Sequence, residues 1–78
     1  ILFIEGLGNY VKVVLKEQNI ISYLSMKQIL DTLPANFTRV HKSYIVNKDH
    51  IRSYNYEDVQ VGENFIPIGR SFKSEFNI

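Results

Sequence analysis

The chain has 78 residues, of which 45% are hydrophobic and 22% charged, and its formal net charge is +1. This length and composition favour one small globular domain and argue against a disordered segment. The chain has no cysteine, which excludes disulfides, thiolate zinc ligands and a cysteine nucleophile. The absence of cysteine suits a reducing cytoplasm, and the apolar runs fall short of the ~20 residues that a membrane span needs.

The first part of the chain predicts short antiparallel strands separated by turns. Residues 1–5 form an apolar run, a turn with two glycines and Asn9 follows, and residues 10–15 are rich in β-branched side chains. Residues 17–19 predict a hairpin turn into a further strand at 20–24. Because the sequence starts within a strand and without a methionine, we expect it to be a fragment of a longer protein.

One helix is predicted, over residues 25–33. Ser25 and Gln28 fit a capping box, in which each side chain hydrogen-bonds to the backbone of the other residue. Apolar residues then follow at helical spacing and form one stripe, namely Met26, Ile29, Leu30 and Leu33. Pro34 ends the helix, because proline lacks the backbone N–H. The polar face has mixed charge, and we therefore interpret this helix as scaffold.

Strands resume after the helix, at residues 37–40, 44–46, 51–54, 59–61 and 65–68. The last two flank residues 62–64, which predict a three-residue hairpin loop that contains Gly62. Pro67 removes a backbone donor and is expected at a sheet edge or a bulge. Residues 69–76 predict a short helical turn. The chain therefore predicts a mainly β domain over 1–78, a sandwich or small barrel of short, mostly antiparallel strands with one short helix.

Signatures of an enzyme or a metal site are weak. Gly6 and Gly8 lack the third glycine and the following helix of a dinucleotide-binding loop. His41 and His50 have no cysteine or carboxylate at ligand spacing. Ser43, two residues after His41, allows a nucleophile–base hypothesis, although nothing marks an acid partner or oxyanion donors. We expect no enzyme activity, no cofactor, no metal and no small-molecule substrate.

Positive charge is concentrated between residues 39 and 52. This window contains four basic residues and one acid, together with both histidines of the chain; the basic residues are Arg39, Lys42, Lys48 and Arg52. A basic sector can bind phosphates even when the net charge is close to zero, because the local electrostatic field, more than the total charge, determines the attraction of phosphates. Solubility alone would also explain such a sector, so charge leaves both interpretations open.

Residues able to contact phosphates or base edges lie at three separate strand ends. Arginine reads guanine bidentately, and Asn and Lys donate to acceptors in the groove. The three groups are Asn9 and Tyr10; His41, Lys42 and Ser43; and Arg70 and Ser71, with Lys73 close by. Each group could project from the same end of the domain. The alternative hypothesis is a β-rich protein-interaction module that uses the strand with Pro67 or the aromatic residues Tyr54 and Tyr56.

Three blocks of this sequence, in order, resemble the LytTR family, a DNA-binding domain found at the C-terminus of many bacterial response regulators. "ILFIEGLGNYVKVVL" is similar to the family's opening strand, glutamate and turn into Asn-Tyr-Val. "SMKQILDTLPANFTRVHKSYIVNKDHI" is similar to its most specific block, and "FIPIGRSFKSEF" to its closing strand and Arg segment. The likeness covers nearly all of the chain.

The resemblance implies a compact β fold that binds double-stranded DNA, with loops entering successive major grooves on one face of a bent duplex. By position, it assigns base reading to Asn9 or Tyr10, to His41 and Lys42, and to Arg70. It assigns phosphate or supporting contacts to a second group, namely Arg39, Ser43, Lys48, Ser71 and Lys73. Gly69 stands where the family commonly has serine, so a hydroxyl contact to phosphate is expected to be missing.

The resemblance also implies a place for this chain within a larger protein. It implies a cytoplasmic effector domain of a bacterial transcriptional regulator in a two-component system, and it leaves open a homodimer on repeated DNA sites. The family's first strands and a receiver domain are expected to be missing from this chain.

Overall fold

The computed structural model describes residues 1–74, which form two antiparallel sheets and one helix. The strands are β1 (Phe3–Gly6), β2 (Val11–Val14), β3 (Asn19–Ser22), β4 (Phe37–His41), β5 (Tyr44–Asn47), β6 (Ile51–Tyr54), β7 (Asp58–Val61) and β8 (Asn64–Pro67). The larger sheet has the order β3-β2-β1-β5-β4, and the smaller one β6-β7-β8. Helix α1 spans Met26–Thr32, and two 3₁₀ turns span Lys48–His50 and Arg70–Phe72.

The predicted mainly β fold with one short helix is confirmed, and the capping box fixes the start of α1. The backbone N–H of Gln28 donates to Oγ of Ser25 at 3.1 Å, and the N–H of Ser25 donates to Oε1 of Gln28 at 2.8 Å. The helix ends at Thr32, and its C-cap residue Leu33 adopts an extended conformation immediately before Pro34. The predicted C-terminal helical turn is present at Arg70–Phe72; residues 75 and 76 of that prediction lie outside the described residues.

The five-stranded sheet is covered on both faces by apolar layers. One layer lies between the two sheets and contains Phe3, Val40, Val46, Val59, Val61, Ile66 and Ile68. The other lies under α1 and contains Ile4, Val11, Val13, Ile29 and Ile45. Adjacent apolar residues in β1 and β5 therefore point to opposite faces, and each finds a packed layer. This explains why these two central strands do not alternate between apolar and polar residues.

The edge strands differ in how they are protected. Pro67 lies in β8, an edge strand, as predicted. Strand β4 is one edge of the larger sheet. There the carbonyl of Val40 accepts a hydrogen bond from the N–H of Gly69 at 2.7 Å. Strand β3, at the opposite edge of the larger sheet from β4, has neither charge nor proline, and its Ile20 and Ile21 are each 48% exposed. Edge strands of this kind can pair with another chain.

The β7–β8 loop is shorter than predicted. Val61 pairs with Asn64, so the turn has two residues and Asn64 belongs to the strand. Gly62 has a φ of +61°, which permits the tight hairpin turns that place glycine at the first central position. The sequence pattern could not distinguish two residues from three, because Asn64 is itself a common turn residue.

Within residues 1–74, α1 is too short to cross a lipid bilayer, and no other helix there meets the requirement. In the same part of the chain, His, Asp and Glu side chains do not gather in groups of three that could hold a metal ion.

Candidate nucleic-acid interface

The sheet register brings the three predicted loops to one end of the five-stranded sheet. Gly6 at the end of β1 pairs with Val11 on one side, and the N–H of Gly6 donates to the carbonyl of Ser43 on the other at 2.8 Å. The bond from Gly69 to Val40 brings in the C-terminal segment. We call this end the loop end; it comprises residues 7–10, the β4–β5 turn (residues 42 and 43) and residues 69–72.

The β4–β5 turn is held by side chains. His41 pairs with Tyr44, so Lys42 and Ser43 form a two-residue turn, and neither has a positive φ. Turns without positive φ fit poorly to the twist of a hairpin, and a bulge lies just before this one, between Arg39 and His41. The Arg39 guanidinium spans the turn: its Nε donates to the carbonyl of His41 at 3.3 Å and its Nη2 to that of Lys42 at 2.5 Å.

His41 supports the turn with one ring nitrogen. The backbone N–H of Ser43 donates to Nδ1 of His41 at 3.1 Å, so in the neutral ring the proton lies on Nε2, which is then a donor. The Tyr44 ring lies 5.5 Å from that of His41. This arrangement does not support the nucleophile–base hypothesis for Ser43 and His41, because the ring nitrogen that would accept the Ser43 hydroxyl proton already accepts the backbone N–H of Ser43.

Tyr44 ties the turn to β1. Its hydroxyl donates to Oε2 of Glu5 at 3.1 Å, and the other oxygen of Glu5 lies 3.3 Å from Nζ of Lys12. Burial raises the pKa of Tyr44 above its ordinary value of 10.0, and the hydrogen bond and negative charge of Glu5 add to the effect. The phenol therefore stays neutral at physiological pH.

The C-terminal 3₁₀ turn packs against this hairpin and leaves Arg70 and Ser71 exposed. The Arg39 guanidinium lies 5.8 Å from the centroid of the Phe72 ring, a cation–π contact. His41, Lys42 and residues 69–72 line a shallow depression of about 490 Å³. A Cβ atom on Gly69 would lie 3.1 Å from the Phe72 ring and 3.4 Å from Cα of His41. Glycine at this position therefore allows the C-terminal segment to pack closely against β4.

Lys73 is bound within the protein. Its ammonium lies 4.0 Å from the centroid of the Tyr56 ring and 3.8 Å from Oε1 of Glu57. The N–H of Ile68 also donates to the carbonyl of Glu57 at 2.9 Å. The β6–β7 turn therefore contacts the chain on both sides of Arg70.

The β1–β2 turn exposes Asn9 and holds Tyr10. The N–H of Leu7 donates to the carbonyl of Tyr10 at 2.9 Å, and Gly8 has a φ of +78°. The Asn9 side chain is exposed, whereas Tyr10 is half-buried and its ring centroid lies 5.9 Å from that of Tyr23. Sequence reasoning did not select Tyr23; the hairpin register, which pairs Val11 with Ser22 and so sets Tyr10 opposite Tyr23, is the signal that could have found it.

Lys48 lies apart from the other predicted site residues. It follows Asn47, which pairs with Phe37 at the far end of the sheet, and its N–H donates to the carbonyl of Asn36 at 2.8 Å. Strand β5 separates it from the β4–β5 turn, a distance of about 13 Å at 3.3 Å per residue. The structure thus brings nine of the ten predicted residues to or beside the loop end and leaves Lys48 at the opposite end.

Comparisons with known proteins give a consistent picture. The family model described as "LytTr DNA-binding domain" matches residues 1–77. Among solved structures, this fold is similar to the LytTr DNA-binding domain of a putative methyl-accepting/DNA response regulator from Bacillus cereus, with a TM-score of 0.87 and 23% identity. That match covers 97% of this chain and 76% of the other. The search of curated proteins found no match.

Proposed function

Because the chain belongs to the LytTR family of DNA-binding domains, we propose that it binds double-stranded DNA sequence-specifically through the loop end. We further propose that it does so as the cytoplasmic effector domain of a bacterial transcriptional regulator. The similar Bacillus cereus domain, which is described as part of a putative response regulator, supports this assignment.

The observation that carries the proposal is the gathering of three polar loops at one end of a rigid sheet. Asn9, Lys42 and Arg70 are exposed, and each comes from a different loop. These residue types donate to base edges in the major groove, and we assign that role to them. We assign base reading also to His41, and phosphate contacts to Ser43 and Ser71, which directly follow Lys42 and Arg70 in the chain.

The spacing of the loops favours bent DNA. At about 4.8 Å per strand, the β1–β2 and β4–β5 turns lie about 10 Å apart, and Gly69, beyond β4, lies about 17 Å from the first turn. Successive major grooves on one face of straight DNA lie about 34 Å apart, about twice the larger of these separations. Loops that reach two such grooves therefore need a duplex that curves towards the protein.

Arg39 and Lys73 have supporting roles in this proposal, since their cationic groups contact the protein itself. Lys48 differs, because from the opposite end of the sheet it can touch phosphate only if the duplex bends around the side of the domain. The effect of Lys48→Ala on affinity therefore measures how far the DNA is wrapped.

Selection of binding sites from a random duplex pool tests the function directly. We expect an enriched motif, and Arg70→Ala should weaken binding to it by about 1–3 kcal/mol while relaxing specificity at particular base pairs. Affinity should fall steeply with salt, because phosphate contacts release counterions. A pool that yields no enriched motif at any salt concentration would contradict the proposal and favour the protein-interaction module.

A further inference from the structure

We propose that Tyr23 is an additional DNA contact, which touches the sugar–phosphate backbone beside the groove that the β1–β2 turn enters. The inference rests on the proposed function and extends it to a residue outside the three loops. Its basis is the position of an exposed aromatic side chain at the loop end.

Tyr23 occupies a defined place in the order of the strands. β3 is the outermost strand next to β2, and Tyr23 follows its last residue, Ser22, which pairs with Val11 at the start of β2. Across the loop end the order is therefore Tyr23, then the β1–β2 turn, the β4–β5 turn and the C-terminal 3₁₀ turn. Tyr23 extends the row of loops by one strand, on the side away from Lys42 and Arg70.

The distance from the β1–β2 turn indicates which part of the DNA Tyr23 meets. At about 4.8 Å per strand, β3 lies about 7 Å from the midline of that turn. The major groove is about 12 Å wide, so its walls lie about 6 Å from its centre. If Asn9 points into the groove centre, Tyr23 faces the backbone that borders the groove.

The chemistry of Tyr23 suits such a contact. The residue is 78% exposed, the highest value among the large hydrophobic residues of the described chain. A tyrosine ring can pack on deoxyribose while its hydroxyl donates to a phosphate oxygen. Its ring lies 5.9 Å from the half-buried Tyr10 ring, with the planes inclined by 55°. This contact restricts the ring before DNA arrives, which lowers the entropy cost of ordering it.

The chain on either side also limits where Tyr23 can move. Only Leu24 separates it from Ser25, the capping residue of α1, and Ser22 is held in the sheet. Met26, in the first turn of the helix, lies within 3.1 Å of a Cβ position built on Gly6. The segment that carries Tyr23 is therefore anchored to β1, the strand that leads into the β1–β2 turn.

The test measures binding of the selected duplex by the parent, Tyr23→Phe and Tyr23→Ala at several salt concentrations. Loss of a hydrogen bond to a charged group predicts about tenfold weaker binding for Tyr23→Phe, which keeps the ring contact with Tyr10. Tyr23→Ala should lose at least as much. In both variants the dependence of affinity on salt should equal that of the parent, because a neutral side chain releases no counterion.

Matched controls separate this proposal from its alternatives. Phe65→Ala removes a similarly exposed aromatic ring from the smaller sheet (66% exposed) and should leave DNA binding unchanged. Phosphate ethylation should interfere with the parent at one position that no longer matters for Tyr23→Phe. Circular dichroism and thermal melting confirm that each variant is folded.

The outcomes are distinct. If both Tyr23 variants bind as the parent does while Lys42→Ala weakens binding, the Tyr23 contact is wrong and the proposed function stands. The same conclusion follows if Tyr23→Ala changes only self-association, which would assign the ring to a protein contact at β3. If Lys42→Ala also binds like the parent, the proposed function fails and the Tyr23 contact fails with it.

Discussion

The β4–β5 and β7–β8 hairpins both have two-residue turns, and they are built in different ways. The β7–β8 turn relies on Gly62, whose φ of +61° suits a tight hairpin, and Gln60 adds a hydrogen bond to the Gly62 carbonyl at 3.2 Å. The β4–β5 turn has Lys42 and Ser43 at the same positions, without a positive φ, and takes its support from Arg39 and His41.

This difference shows how the domain accommodates functional side chains at a tight turn. Glycine gives the turn its shape but offers no side chain to a partner. At the loop end, Lys42 and Ser43 keep their side chains available, and three hydrogen bonds from neighbouring groups hold the backbone instead. The β7–β8 turn lies at the opposite end, beside Leu2. No predicted site residue lies in that turn, so glycine can determine its conformation there.

Arg39→Ala is expected to have the largest effect, because it removes the support of the β4–β5 turn. Two hydrogen bonds from a half-buried guanidinium and the contact with Phe72 are lost, which should lower the free energy of unfolding by about 2 kcal/mol. DNA affinity should fall as well, since His41 and Lys42 lose their fixed geometry. Chemical denaturation and binding titration measure the two effects. Arg39→Lys should recover little, because lysine lacks the planar fork; full recovery would show that only charge matters.

Lys42→Ala should separate binding from stability at the same turn. We expect DNA binding to weaken by about 1–3 kcal/mol and the salt slope to decrease by about one, while stability changes by less than about 0.5 kcal/mol. Lys16→Ala is the matched control, because Lys16 lies in the β2–β3 turn at the opposite end of the sheet. Equal losses in the two variants would show that total charge, and not the loop end, governs binding.

Gly62→Ala should show the reverse pattern. A side chain at a φ of +61° costs about 1–2 kcal/mol, and the new Cβ would meet Leu2 only at an ordinary 3.7 Å. We therefore expect lower stability in denaturant and unchanged DNA affinity. A variant that folds as stably as the parent would mean that the turn can reach another conformation.

Tyr44→Phe should have the smallest effect. Loss of the hydrogen bond to Glu5 should lower the free energy of unfolding by about 1 kcal/mol at neutral pH, and a change in pH dependence should appear only at high pH. The pKa of Tyr44 is raised in the folded state, so the neutral phenol favours folding below pH 10, and this contribution is lost as pH rises through the folded-state pKa. Chemical denaturation from pH 8 to 11 should therefore show a shallower alkaline decline in Tyr44→Phe than in the parent. Identical declines would mean that other groups account for it.

Much of the fold could be predicted because local chemistry determines it. The capping box of Ser25 and Gln28 and the break at Pro34 set the helix within one residue of its observed bounds. Pro67 indicated an edge strand because proline has no backbone N–H to donate to a neighbouring strand. The 3₁₀ turn at Lys48–His50 was not predicted, because its cap depends on Asn47, whose side chain also donates to the carbonyl of Ile1 at 2.8 Å, across 46 residues.

For the candidate site, the sequence suggested residues but could not show how they are arranged. Polar residues at strand ends suggested three loops, but the insertion of β1 between β2 and β5 is what makes two of them neighbours. Lys48 was expected to contact the DNA backbone near the three loops, but the length of β5 places it at the opposite end of the sheet. Tyr23 was not proposed from the sequence, because an apolar run suggested a strand up to residue 24, whereas β3 ends at Ser22.

The unprotected strand β3 constrains the symmetry of any assembly. Two copies that pair antiparallel through β3 are related by a two-fold rotation, which turns the loop end of one copy by 180° from that of the other. Such a pair presents its loops in opposite directions and fits two separate duplexes. Neighbouring sites on one face of a single duplex must therefore be occupied by copies that leave β3 unpaired with each other.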